Sequence, residues 1–259
     1  MLKNFKSNYY SMNSATLSTD KILTKAATLA FENDPVVSTS LDIGSGSGAL
    51  IALVREKAPS AQTYACDYID SLMELKDQSV QVANLNEDSL PYGDNLFDLV
   101  TCTEVVEHLE NYHRLIKEIA RVLKPGGLVV ISTPNILNLQ SRLRFFKYGF
   151  WNLFGPLPVG RAERFSTVGH ITPVSYFYLA HALAECGFKN IKVDFDKAQR
   201  SAIPKLIVFW PLIALATYFA SGKERKKYKT IDSSNEEFVE KVNSLKMLLG
   251  RTIVVRAEK

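Results

Sequence analysis

Hydrophobic and polar positions along this chain fall into two rhythms that alternate. Strand-length apolar runs occur at 36–43 (VVSTSLDI), 63–67 (TYACD), 79–84 (SVQVAN), 97–103 (FDLVTCT), 127–134 (GLVVISTP), 189–195 (KNIKVDF) and 251–257 (RTIVVRA). Helical spacing separates most of them, as at Ile22, Leu23, Ala26, Leu29 and Ala30, where Ser18 is the predicted N-cap. This order predicts a parallel sheet covered on both faces. Two irregular blocks interrupt it, one at 135–171 after the fifth strand and one at 197–249 between the last two strands. Between them, Thr172 as N-cap with Pro173 in the first helical position predicts a helix running to Cys186, stopped by Gly187. The expected organisation is a single domain over 1–259, with a substrate-covering insertion at 135–171 and an apolar, basic helical insertion at 197–249.

Composition adds little to this picture and charge adds more. With 46% apolar and 22% charged residues, the 259-residue chain can bury a full core. The first twenty residues hold no continuous apolar run of the secretory kind, so a cytoplasmic protein is expected. Cys66, Cys102 and Cys186 are odd in number and lie in apolar surroundings, which predicts buried thiols and no disulfide framework. A net charge of +4 is modest for a nucleic-acid binder of this length and argues against such a partner. Basic residues nevertheless gather in RLRFFK (142–147) and KERKKYK (223–229), each beside an aromatic or apolar run.

The stretch LDIGSGSGAL (41–50) ends a strand and opens a helix, where a glycine turn lets a ligand approach the backbone. Gly44, Gly46 and Ala49 also satisfy a dinucleotide fingerprint, and a plain structural turn has the same pattern. Two acids narrow the choice. Asp67, at the end of the next strand, can accept hydrogen bonds from both hydroxyls of a ribose. Asp42, two residues before the first glycine, disfavours a pyrophosphate and favours a cation. S-adenosylmethionine carries an ammonium, a sulfonium and a ribose, and no phosphate.

Together with CDYID, LPYGDNLFDLVTCTEVVEHL, RVLKPGGLVVISTPN and GHITPVSYFYLAHALAECGF, the glycine loop resembles the class I S-adenosylmethionine-dependent methyltransferases over roughly residues 20–196. The resemblance implies an α/β, Rossmann-like seven-stranded sheet with six parallel strands and an antiparallel C-terminal strand, helices on both faces, and insertions after strands five and six. It also implies that Asp42, Gly44, Ser45, Gly46 and Gly48 cradle the methionine part and that Asp67 holds the ribose. Tyr68 would pack on the adenine, Asn84 and Leu85 would meet its edge, and Thr103 would line the same site. Asn84 stands where the family often has Asp, so a weaker or re-oriented adenine contact is expected.

Methyl transfer from a sulfonium is an in-line displacement, so the protein chiefly aligns the acceptor and removes its proton. The base belongs just past the fourth strand, in TCTEVVEHLEN (101–111). Read as a helix, this segment puts Glu104, Glu107 and His108 within an arc of about 100°. Two carboxylates and an imidazole on one face make an oxygen-rich site for a divalent ion such as Mg²⁺ or Mn²⁺, which His170 would complete. E-x-x-E-H followed by a distant His is similar to ubiquinone-biosynthesis O-methyltransferases and small-RNA terminal 2′-O-methyltransferases. That similarity implies an ion that binds neighbouring hydroxyls and lowers the pKa of the attacked one. A second reading stays open, in which His108 and Glu107 are the catalytic pair and no ion binds.

The aromatics Phe145, Phe146, Tyr148, Phe150, Trp151 and Phe154 are expected to form the inner face of a lid, while Arg142, Arg144 and Lys147 admit a phosphate or an anionic lipid surface. The uncharged run LIVFWPLIALATYFA (206–220) is shorter than the roughly twenty residues a bilayer needs. It predicts a buried helix over the sheet, with an interfacial helix as the alternative because Trp210, Tyr218 and the basic run flank it. The GHITP block also resembles methyltransferases of cell-surface polysaccharide synthesis. The expected activity is methylation of a hydroxyl on a small or lipid-linked acceptor, a sugar or quinone precursor. The alternatives are terminal 2′-O-methylation of RNA, a non-catalytic cofactor-binding regulatory domain, and an NAD-dependent oxidoreductase. Nothing in the sequence fixes an oligomeric state.

Overall fold

The computed structural model describes residues 19–159 and 169–259. Ser18, expected as a helix cap, and the middle of the first insertion lie outside the described residues. Helix α1 (Asp20–Ala30) buries Ile22, Leu23, Ala26, Ala27, Leu29 and Ala30 on one face. Then come β1 (Thr39–Ile43), α2 (Ala49–Lys57), β2 (Gln62–Asp67), β3 (Val80–Val82) and β4 (Phe97–Thr103). The chain continues through α3 (Tyr112–Val122), β5 (Leu123–Pro134), α4 (Leu139–Tyr148), α5 (Tyr176–Glu185) and β6 (Lys189–Phe195). It closes with α6 (Ile203–Lys223), α7 (Glu236–Val242), α8 (Leu245–Leu249) and β7 (Thr252–Glu258).

The sheet order is β3-β2-β1-β4-β5-β7-β6, with β7 antiparallel to both its neighbours and the other strands parallel to one another. Alternate residues of each strand serve opposite faces. Leu99, Leu128, Val130 and Val254 pack under α1 and α2, whereas Val100, Cys102, Val129, Ile131 and Val255 pack under α3 and α5. Both faces are therefore apolar, which is why the sequence shows continuous hydrophobic runs. The chain reverses its direction of travel across the sheet between β1 and β4, so their carboxyl ends open a crevice at the switch point. Cys66 and Cys102 are buried and Cys186 is partly buried, all as free thiols.

Three local expectations fail for physical reasons. The helix after the first insertion starts at Tyr176, with the Ser175 hydroxyl accepting from the Tyr178 amide. Thr172 is not its cap, because its own hydroxyl donates to the Leu109 carbonyl. The segment at 104–108 is not helical: Glu104 sits at φ +56°, a left-handed conformation that ends the strand abruptly, and only a 3-10 turn, Val106–His108, follows. The third failure is the buried helix at 206–220. It lies in the 21-residue α6, which has no buried residue.

Candidate active site

The glycine turn is shaped by what crowds it. Gly44, Gly46 and Gly48 all have positive φ. A Cβ on Gly44 would come 2.3 Å from Cγ2 of Val105, so the loop after β4 can rest on the turn only if that residue is glycine. The Gly44 amide donates to the Cys66 carbonyl at 2.8 Å, and the Gly46 amide donates to Asp67 Oδ2 at 2.8 Å. Asp67 thus faces the turn across the ends of β1 and β2, with its other oxygen accepting from the Ile69 amide at 3.3 Å. Tyr68 beside it is 52% exposed. Asn84 Oδ1 accepts from the Asn86 amide at 3.2 Å, so its carbonyl is already partly engaged at the expected adenine edge. Leu85 packs against the core, and Thr103 is buried at the end of β4.

Two observations match this cradle to a cationic nucleoside. Among the described residues the buried Ser45 hydroxyl has no hydrogen-bond partner, as expected of a group that meets a ligand. Asp42 is also buried. Desolvation, with the Asp67 carboxylate adding to it, raises its pKa to about 7 despite a 2.7 Å hydrogen bond from Thr101. An ammonium or sulfonium nearby would stabilise its charged form, whereas a phosphate would not.

Beyond Val105 the chain turns into the core. Glu107 is fully buried, and its Oε2 accepts from Thr133 Oγ1 at 3.0 Å. Its backbone carbonyl accepts from the amides of both Ile171 and Thr172 at 3.0 Å. These bonds stitch the GHIT segment to the EVVEH turn and bring His170 to His108, ring centroids 4.7 Å apart and edge to face. Ligand atoms of Glu107, His108 and His170 all lie within 4.8 Å of one another. Glu104 is not in that group. Its carboxylate accepts from Ser132 Oγ at 3.0 Å, because the left-handed backbone swings it toward β5.

The electrostatics are those of a dry site. Burial, then the neighbouring Glu104 carboxylate, raises the Glu107 pKa well above the carboxylate range, against the opposing hydrogen bond from Thr133. Burial and His108 push His170 down to about 4, so its ring is neutral at physiological pH. Burial lifts Glu104 to about 7, against the Ser132 hydrogen bond and the charge of Arg251. Among the described residues, Glu107 Oε1 and His170 Nδ1 are buried without a partner, and both belong to the cluster. The His108 Nδ1 lies 3.1 Å from the Gly169 carbonyl, which can only accept. Nδ1 therefore carries the proton, and in the neutral ring the lone pair is on Nε2.

A cleft of about 530 Å³ is lined by Asn135, Asn138, Arg144, Leu153, Leu157, Gln199 and Arg251 among others, and not by Glu107, His108 or His170. The lid aromatics divide around it: Phe154 is buried against His170, Phe145 stacks on Trp151 at 4.0 Å, and Phe146 is 87% exposed. Arg142 is unavailable to a phosphate. Its guanidinium donates to the Leu137 and Val242 carbonyls and to Asn243 Oδ1. Ser132, Thr133, Val105 and Arg251 are site neighbours that motif reading did not single out. The pairing of Thr103 with Ser132 shows the usable signal, since residues ending adjacent parallel strands must share the crevice.

A six-plus-one sheet of this order, with a glycine turn at its switch point and acids suited to a cationic nucleoside, defines a class I S-adenosylmethionine-dependent methyltransferase. The chain belongs to the family described as "Methyltransferase domain", which matches residues 18–193. It is 31% identical over 139 residues to a demethylmenaquinone methyltransferase of Geobacillus sp. (strain WCH70), covering 49% of this chain and 59% of that one. It is 28% identical over 130 residues to a ubiquinone/menaquinone biosynthesis C-methyltransferase of Desulfotalea psychrophila, covering 47% and 53%. The chain thus spans little more than half the length of either relative. In fold it is similar to a SAM-dependent methyltransferase from Archaeoglobus fulgidus, with a TM-score of 0.55, 19% identity, and 93% and 95% of the two chains covered.

Proposed function

We propose that the protein methylates a hydroxyl-bearing small or lipid-linked acceptor, in the cytoplasm, with His108 as general base and Glu107 as its buried partner. The observation that carries this reading is the 3.1 Å contact between His108 Nδ1 and the Gly169 carbonyl, which leaves Nε2 as the basic nitrogen, beside the buried Glu107 carboxyl. S-adenosylmethionine, when bound in the glycine cradle, supplies an electrophilic methyl group on sulfur. Asp42 and Ser45 hold its charged methionine end, Asp67 its ribose, and Tyr68 with Leu85 its adenine. Nε2 of His108 takes the acceptor's proton. Glu107, Thr133 and the backbone of Ile171 and Thr172 keep the turn rigid and dry while it does so.

A deprotonated phenol or enol is nucleophilic at oxygen and at the adjacent carbon, so one site serves two outcomes. O-methylation is the first reading. The names of the quinone-biosynthesis relatives favour the second, C-methylation next to the hydroxyl of a quinone precursor. The modest net charge of +4 weighs against RNA. In the alternative reading, in which His108 is a ligand and not the base, a divalent ion would be held by Glu107, His108 and His170, and the unpartnered Glu107 Oε1 and His170 Nδ1 fit one. One oxygen and two nitrogens suit Mn²⁺, Fe²⁺ or Zn²⁺ better than the oxygen-seeking Mg²⁺, because Glu104 is turned away. The test is incubation with methyl-labelled cofactor and a panel of hydroxylated aromatic, polyprenylated and sugar acceptors, with product structure read by NMR and with and without chelator. A labelled O- or C-methyl product from any of them supports the reading; no transfer to any hydroxylated acceptor overturns it.

A further inference from the structure

Among the described residues, helix α6 is an apolar surface with no buried side chain. Its inward-tilted residues, Leu206, Phe209, Trp210, Ile213, Ala214 and Thr217, recur at helical spacing and are partly covered. The opposite face exposes Ile207 by 74%, Val208 by 64%, Leu212 by 61%, Leu215 by 58%, Tyr218 by 75% and Phe219 by 66%. No charged residue occurs from Leu206 to Gly222. A contiguous apolar stripe of this kind is too large to leave to water and marks a binding surface. With its flanking turns, Arg200–Tyr228 is long and apolar enough to cross a membrane by length and composition.

The topology forbids a single crossing. β6 leads into α6 and β7 follows it, and these strands pair in one sheet, so both ends of the helix stay on one side. The helix is also held along its length. Lys205 donates to Gln140, Asn243 donates to Thr217 at 2.7 Å, and Arg225 pairs with Glu236 at 2.8 Å. It therefore lies along the body of the protein, its outer face exposed among the described residues.

Charge selects the partner. Residues 223–229 hold five cations and one anion, so the chain's entire net charge of +4 equals that of seven residues at one end of the apolar stripe. Lys223 and Lys227 stand over the Tyr228 ring, 5.3 and 5.4 Å from its centroid. A second copy of the chain meeting this face would bring these cations to its own Lys223–Lys229 if packed parallel, or to its Arg200 and Lys205 if packed antiparallel, so cations would face cations either way. An anionic surface would be attracted to them. An exposed apolar face with a basic run at its end suits an anionic lipid surface, which attracts the cations and receives the apolar side chains.

We infer that α6 docks the protein in the plane of an anionic lipid bilayer, its outer face among the acyl chains and Lys223–Lys229 among the headgroups. The test is flotation of the full chain with vesicles of phosphatidylcholine alone or with a third phosphatidylglycerol. The protein floats with the anionic vesicles, and added salt weakens the binding. Leu212→Asp/Phe219→Asp stops flotation, and Lys226→Glu/Lys227→Glu lowers the partition coefficient on anionic vesicles by about tenfold or more, both with unchanged thermal unfolding. Absence of flotation, or flotation indifferent to both variants, overturns the inference. So does a dimer in sedimentation that Leu212→Asp dissociates, which would assign the face to a second copy. None of these measurements uses activity, so the acceptor assignment stands or falls separately.

Discussion

Asp42 links cofactor binding to a proton. Its pKa is raised to about 7 by desolvation, with the Asp67 charge adding and the Thr101 hydrogen bond opposing. An acid raised in the folded state contributes stability below its unfolded value of about 4 and loses it as pH rises through the folded one. A bound cation reverses the preference by stabilising the carboxylate. S-adenosylmethionine affinity should therefore rise between pH 6 and pH 8, with release of up to about one proton when binding occurs below neutrality. Calorimetry in buffers of different ionisation enthalpy measures this, and Asp42→Asn should bind more weakly with no such release. At the neighbouring turn, His108→Ala should lower kcat by about 10²- to 10⁴-fold, the usual worth of a general base. Cofactor affinity should be nearly unchanged, because no cradle contact is lost. Glu107→Gln keeps the shape beside Thr133 and should cost less, with a shifted pH–rate profile. That Glu107, His108 and His170 would come together was legible, and they do converge. Their geometry was not, because a single left-handed residue, Glu104, replaces the assumed helical face with a sharp turn.

At the scale of elements, a carboxylate on β4 fixes the start of β1. Asp98 accepts from the amides of Ser38 and Thr39 at 2.9 and 2.8 Å and from Lys124 at the head of β5 at 2.7 Å. Burial would raise its pKa, but the hydrogen bonds from Lys124, Thr39 and Ser38 outweigh burial and hold it below the usual value. Its stabilisation is thus present above about pH 4 and lost as pH falls through the lower folded value. Asp98→Ala should cost about 2 kcal/mol at neutral pH. Melting curves from pH 6 down to pH 3 should converge for the two proteins, because protonation removes from the parent what the substitution has already taken. The strands themselves were readable: β4 as a continuous apolar run buried on both faces and β6 as an edge run of alternating character, both matching their expected bounds residue for residue. Helix starts were harder. Thr172-Pro173 has the local chemistry of a cap, yet its threonine is drawn into a tertiary bond with Leu109, and Ser175 three residues on takes the role.

For the whole molecule, hydropathy could not say what covers residues 206–220, because an apolar helix reads alike whether protein or lipid receives it. The fold supplies the missing term by leaving α6 without a buried residue, close to the cleft that Asn135, Arg144 and Gln199 line. Gln199 lines that cleft and directly precedes the Arg200–Ala202 turn that opens α6, and Gln140 of α4 bonds both Ser201 and Lys205. A bilayer seated on α6 would therefore lie near the cleft mouth, where Leu153 and Leu157 are partly exposed. Docking of this kind raises the local concentration of an acceptor dissolved in the membrane without adding a contact to the chemistry. A polyprenylated hydroxyaromatic acceptor should thus be methylated faster in vesicles containing phosphatidylglycerol than in phosphatidylcholine alone, by about tenfold or more. A short-chain analogue free in water should show no such difference. Leu212→Asp/Phe219→Asp should abolish the vesicle effect while leaving turnover of the soluble analogue intact. Equal initial rates in the two kinds of vesicle would mean that the cleft fills from water and that the helix serves localisation alone.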